Sequence, residues 1–299
     1  MSGPSKLGRA SSLRGTRGTT TIAVFALRES LRRRVFSVVG LLTLAFLALY
    51  GLGTWQLFDT VGEFDEPIDG IDARSVAGAT ILGLAMFATL FLGTILAVFL
   101  TLGAVRGDAE RGLLQPVLVR PVHRRTVLAG RFAAAASVCA AYVVAVFLAA
   151  TAITYVFSDW WPDRTLEPAL QLAASVAILS ALSLAGSVVL SANANGIAVF
   201  MLFGAGLTAG LLGQIGEALG SRTLDRVADI VSWLLPFEAL YQAALAGITA
   251  DTVGFTRLAI NLGPFGGAEP ASSWLWPYTV FYLGLLAAGA SAAFRRRDL

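Results

Sequence analysis

Six long apolar runs decide what this chain can fold into: Val35–Leu57, Gly78–Val105, Phe132–Phe157, Ala169–Leu190, Ile197–Gly216 and Trp274–Phe294. Each reaches the length of roughly 20 residues that a helix needs to cross the hydrocarbon of a bilayer. None contains Asp, Glu, Lys or Arg. Lipid offers no partner for a bare peptide group, so runs of this length form helices. Only 14% of the residues are charged and the mean hydropathy is +0.73, whereas soluble domains carry roughly 25% charged residues. The expected fold class is an all-α polytopic membrane protein with six transmembrane helices.

Charge gives the orientation. Of the 22 Lys and Arg residues, eight precede the first run, six lie in Arg106–Arg131 and three in Arg295–Arg297. With the amino end inside, 17 basic residues face the cytosol and five face outward. Only Glu29, Asp108, Glu110 and Asp298 of the 19 acids share the inner side. Lys and Arg near the ends of spans stay inside, so both termini are expected to be cytoplasmic, in a multi-pass protein of the cytoplasmic (inner) membrane. The six tryptophans, Trp55, Trp160, Trp161, Trp233, Trp274 and Trp276, fall at or near the outer boundary on this reading, where indole rings anchor.

The segments outside the runs have distinct character. Residues 1–19 read as a disordered basic tail rather than a secretory signal. In 20–34, Ile22, Phe25, Ala26 and Leu31 recur at helical spacing, with Arg28, Arg32, Arg33 and Arg34 on the polar side. This is either an amphipathic interface helix or a basic flank that orients the first span. Residues 35–299 form the six-span transmembrane domain. Ser191–Gly196 reads as a tight inner turn. In the long outer loop 217–273, Leu224–Leu245 has helix-like apolar spacing interrupted at Pro236, which suits one or two helices lying on or dipping into the outer leaflet. Gly206 and Gly210 form a GxxxG that permits close helix approach, either inside the bundle or between subunits.

Between the second and third runs lies a charged island, 106–131. It holds Asp108, Glu110, the prolines Pro116 and Pro121, and the chain's one histidine, His123. Leu113, Leu114, Val117 and Leu118 are spaced as one face of a short helix. Positive-inside charge explains the arginines but not the Glu-Arg-Gly-Leu-Leu core or the two prolines.

Several chemistries are excluded. A phosphate-binding P-loop needs a lysine, and the one lysine, Lys6, lies in the tail. One histidine and one cysteine, Cys139, rule out an ordinary His/Cys metal cluster. A membrane serine protease needs a histidine base, and His123 is outside the runs. An ion-coupled carrier usually places an ionisable group within the membrane, and these runs have none. A sodium site built from carbonyls and hydroxyls, or a channel, stays open, as does a membrane partner for assembly of an extracytoplasmic enzyme. Nucleic acid is not an expected partner; membrane lipid is.

The island resembles the cytosolic coupling segment of ABC-2-type permeases, the membrane subunits of ABC exporters with the type V fold. Glu110-Arg111-Gly112-Leu113-Leu114 matches that family's acid, glycine and leucine-rich turn. Arg120-Pro121 with Arg124 matches its Pro and basic residue, and Gly130-Arg131 the opening of its third span. Leu113 stands where the family usually has threonine, and Arg131 where it has lysine. The ending Phe294-Arg295-Arg296-Arg297-Asp298-Leu299 is similar to the family's Phe-x-Arg-Arg-Asp finish. Leu27-Arg28-Glu29-Ser30-Leu31-Arg32 resembles its amphipathic entry helix.

The resemblance implies a non-catalytic permease subunit that moves substrate outward, working as a homodimer or related heterodimer with two cytosolic ABC ATPase subunits. It implies no cofactor on this chain, with ATP and Mg on the partner ATPase. It assigns ATPase coupling to Glu110, Gly112, Leu113, Pro121 and Arg124, with Arg28, Glu29 and Arg32 as a second contact. The substrate is not legible.

Overall fold

The computed structural model describes residues 34–61, 73–101, 124–250 and 268–295. Among these there are eight helices and no strand. We number them α1 Arg34–Val61, α2 Ala73–Thr101, α3 Arg124–Ser158, α4 Leu166–Val189, α5 Ala192–Leu219, α6 Arg222–Leu234, α7 Phe237–Ile248 and α8 Leu275–Arg295. Six of them are long and apolar enough to cross a membrane. The tail, the 20–33 stretch and most of the island, 102–123, lie outside the described residues.

The six long helices run alternately up and down. One end of the bundle, the arginine end, holds the starts of α1 and α3, the end of α2, the α4–α5 link and Arg295. The opposite end holds the α3–α4 link, α6 and α7. The helices exceed the apolar runs where charged residues are compatible with helix. α3 is described from Arg124, eight residues before the apolar run, since arginines are compatible with helix. The α4–α5 link is shorter than the expected six-residue turn. Only Leu190 and Ser191 separate the helices, and Ala192–Gly196 already forms the first turn of α5. Asn195 holds this corner: its amide donates to the Ser183 carbonyl at 2.8 Å, and Thr101 Oγ1 donates to Ser183 Oγ at 2.6 Å.

α2 and α4 form the centre, and α1 and α8 the periphery. In α2, 67% of the most apolar window is buried, against 11% in α1. The core is built from Leu82, Met86 and Leu90 of α2, Phe147 of α3, and Leu172 and Leu179 of α4. Gly93 lets α2 approach α3 and α4, since a side chain there would overlap Val143 and Val176. The hydroxyls inside the bundle need partners, and most find them one turn back. Thr89, Thr94, Thr151 and Ser180 donate to the carbonyls of Ala85, Leu90, Phe147 and Val176. Thr43 and Tyr142, and Tyr50 and Thr154, tie α1 to α3 through paired hydroxyls.

Candidate functional site

α5 ends in a way that turns the chain back on itself. Gly220 adopts φ 62, the left-handed region where glycine is favoured. Its N–H donates to the Glu217 carbonyl at 3.2 Å, and the Ser221 N–H to the Gly216 carbonyl at 2.8 Å. This paired closure is the Schellman motif. α6 therefore descends along α5. At Leu235–Pro236 the helix breaks, since proline lacks the donor a continuing helix needs, and α7 leaves at 102° to α6.

Neither short helix can span. α6 has 13 residues and α7 has 12, so at 1.5 Å per residue each covers about 20 Å. Both free ends are at the same side. The Ile248 carbonyl accepts from the Asp163 N–H in the α3–α4 link at 3.2 Å, and Gly247 packs on Pro168. The pair is a re-entrant hairpin that enters and leaves at the end opposite Arg295.

The glycine face of α5 receives this hairpin. A side chain at Gly206 would overlap the Phe237 ring, and one at Gly210 would overlap Glu238 Oε1 and Gln242 Nε2. Gly213 faces Ala228, and Gly216 faces Asp225. Phe237 stacks on Phe203 with ring centroids 5.7 Å apart. Its carbonyl accepts from Ser175 Oγ of α4 at 3.0 Å. α7 is almost wholly buried; Phe237, Leu240, Tyr241 and Ile248 are among the best buried large side chains.

Between the hairpin, α5 and the start of α8 lies a cavity of about 450 Å³. Five carboxylates line it: Glu217, Asp225, Asp229, Glu238 and Glu269, with no basic side chain among the lining residues. The sequence of α6 explains their convergence. Asp225, Asp229 and Ser232 fall at i, i+4 and i+7 on one face, while Val227, Ile230 and Trp233 are exposed on the other. Glu238 is the deepest group, 2% exposed. It accepts hydrogen bonds from Gln242 Nε2 and from Ser232 Oγ, the latter at 3.3 Å. Burial pushes its pKa up to about 7, opposed by the hydrogen bonds from Gln242 and Ser232, with a smaller upward push from Glu269. Glu269 is itself raised by burial and by Glu217 and Asp229. The cavity thus has a strongly electronegative lining that favours cations over anions, and one carboxyl that exchanges a proton near neutral pH. No group of three or more His, Cys, Asp or Glu suited to a metal ion occurs among the described residues.

The site residues expected from the sequence fall in two places. Gly206 and Gly210 sit on the hairpin-facing side of α5, as described. Arg124 is the first residue of α3. Glu110, Gly112, Leu113, Pro121, Arg28, Glu29 and Arg32 lie outside the described residues. The sequence reading missed Glu238, Gln242 and Ser232. The available signal was the single acid in Leu234–Ile248, a stretch of otherwise uncharged residues after a proline.

The sequence model of the family described as ABC-2 family transporter protein matches residues 20–299, nearly the whole chain and all six long helices. The chain belongs to the ABC-2 transporter family. This ABC-2 protein is therefore a membrane-transport component, the permease part of an ABC transporter. No curated protein matches it. The acidic cavity and hairpin lie at one end of the permease, and the two helices that flank the island, α2 and α3, meet it at the other.

Proposed function

We propose that this permease exports its substrate across the cytoplasmic membrane, driven by ATP hydrolysis on a separate cytosolic ATPase subunit. Two ATPase subunits would serve two permease copies, identical or related. The observation that carries the reading is the family match across 20–299. It is supported by the absence of any lysine that could serve a P-loop, since the only one is Lys6. On this reading the energy source is another chain, which holds the ATP and Mg.

The island is the proposed docking segment, with the arginine end in the cytosol. Thr101 closes α2 and Arg124 opens α3 at this end, so a push on 102–123 is delivered to two helices packed against the centre of the bundle. Glu110 pairs with an Arg or Lys of the ATPase. Gly112 permits a tight turn, Leu113 gives an apolar contact, and Pro121 ends the short helix. Arg124 contacts acids or lipid phosphates. Arg28, Glu29 and Arg32 form the second contact.

The test is a pull-down from detergent-solubilised membranes with the native island and with alanine across 110–124. An ATPase recovered with the first and lost with the second supports the reading. A stable protein that recovers no ATPase in either form overturns it.

A further inference from the structure

The corner that joins α4 to α5 at the arginine end is a polar knot of three helices, with Ser183 of α4 at its centre. The Ser183 hydroxyl accepts from Thr101 Oγ1 of α2 at 2.6 Å and from Asn195 Nδ2 of α5 at 3.3 Å. Its carbonyl accepts from the same amide at 2.8 Å. All three side chains are buried in the bundle. Asn195 fits because Gly186 stands beside it; a side chain there would overlap Asn195 Oδ1. Thr101 is the last residue of α2, the helix that leads into 102–123, so the knot sits where the proposed docking segment meets the bundle.

Two features make this knot exchangeable. The Thr101 hydroxyl carries one proton but has two acceptors in reach, Ser183 Oγ and the Ala97 carbonyl one turn back at 2.8 Å. It can release α4 and stay satisfied within α2. Asn195 Oδ1, in turn, is buried without a hydrogen-bond partner, and a buried acceptor left unpaired costs stability. While Thr101 fixes the Ser183 hydroxyl, that oxygen stays unpaired. Once Thr101 withdraws, Ser183 can turn its own proton to it, so a second arrangement of the same three side chains compensates for the bond given up.

α5 carries such a change to the other end. It has 28 residues and no internal proline, and from Asn195 to Gly216 it covers about 30 Å at 1.5 Å per residue. It packs far more extensively on α6 than on α2 or α4, whereas α7 packs extensively on α4. A shift of α5 against α4 therefore moves α6 against α7, and the acidic cavity lies between them. We infer that Thr101, Ser183 and Asn195 are positioning residues of transport: a two-position joint through which displacement of α2 at the arginine end shifts α5 and reshapes the acidic cavity at the opposite end. The inference rests on the proposed ATP-driven function and adds to it the residues that carry the movement through the bundle.

The experiment uses the full-length permease together with the ATPase it recovers from membranes. Leu166 of α4 and Leu219 of α5 are both exposed at the end opposite Arg295. Spin labels on L166C/L219C in a C139A background report the α4–α5 distance without nucleotide and with ATP plus vanadate. The native joint should give a shift in distance on nucleotide trapping. T101V, which keeps the shape and removes the hydroxyl, and N195A should each lose the shift while recovering the ATPase as well as the native protein does. T101S, which keeps the hydroxyl, should retain it; a role in packing alone predicts the reverse, since valine fills the space and serine does not. If N195A does not fold, T101V decides. No shift with the native joint, a shift retained in T101V or N195A, or a shift lost in T101S, each with the ATPase recovered, overturns the joint and leaves the proposed function standing. A native protein that recovers no ATPase overturns both.

Discussion

The Tyr282 hydroxyl donates to the carbonyl oxygen of Leu234 at 2.8 Å, and Tyr278, one turn earlier on α8, donates to the carbonyl of Trp233. The break at Pro236 creates the need for both bonds. The last carbonyls of α6 lose their helical acceptor role there, and in lipid no water replaces it. α8, of the six long helices the least covered by the bundle after α1, thus holds the tip of the hairpin from outside. The Trp233 ring meets Tyr278 edge-on at 4.8 Å, adding an aromatic contact to the same joint.

Removing these donors should loosen the hairpin and leave the spans in place. Y282F is expected to lower stability in detergent by about 1 kcal/mol, and Y278F/Y282F by more. Hydrogen exchange should speed up in 230–240 with little change in α2 and α4. Unchanged exchange at the tip would show that the tyrosines do not restrain it.

The docking of the hairpin on α5 is open to a direct probe. An added Cβ at Gly213 would lie 3.3 Å from the Ala228 Cβ, close to the separation a disulfide bridges. In a C139A background, G213C/A228C should cross-link under mild oxidation. G206V in addition pushes against Phe237, with an overpacking cost of about 1–3 kcal/mol, and should reduce the cross-link. Cross-linking that is indifferent to G206V would mean that Phe237 shifts aside without moving the hairpin.

The long helices were legible in the sequence because lipid imposes one simple requirement, a charge-free run of sufficient length. The break in the outer segment was legible for a similar reason, since Pro236 acts locally. The cavity was not. Glu217, Asp225, Glu238 and Glu269 are scattered among the acids assigned to outer loops; the turn at Gly220 and the bend at Pro236 bring the first three together, and Glu269 joins them from the stretch before α8. The GxxxG shows that something approaches α5 closely, but the pattern does not name its partner. That partner is α7, whose burial against α4 and α5 depends on contacts distant in sequence. Glu238 was hidden by the same distance effect: by sequence it is one loop acid among many, and by structure it is the buried one.

Coupling through the island predicts a separation of two properties. E110K reverses the charge proposed to pair with the ATPase, outside the apolar runs that drive insertion. Membrane insertion and detergent stability should be unchanged, while stimulation of ATP hydrolysis in the reconstituted complex should be lost. Retained stimulation would remove Glu110 from the contact.

Glu238 should make the stability of the permease fall as pH rises. Its carboxyl titrates near 7 in the folded protein, against 4.5 for the unperturbed group. The folded state therefore holds the proton more tightly than the unfolded chain does. By linkage, the stabilisation is fully present below pH 4.5 and is lost as pH climbs through about 7. The full effect is on the order of 3 kcal/mol. Asp225 and Asp229 from α6, Glu217 from α5 and Glu269 before α8 surround the cavity, and of these Glu269 adds a smaller upward push on Glu238. E238Q keeps the shape and a hydrogen-bonding head without the titration. The unfolding temperature of the native protein should drop between pH 5 and pH 8, and E238Q should flatten that drop. A slope that E238Q leaves untouched would assign the titration to another carboxylate of the cavity, with Glu269 the next to replace.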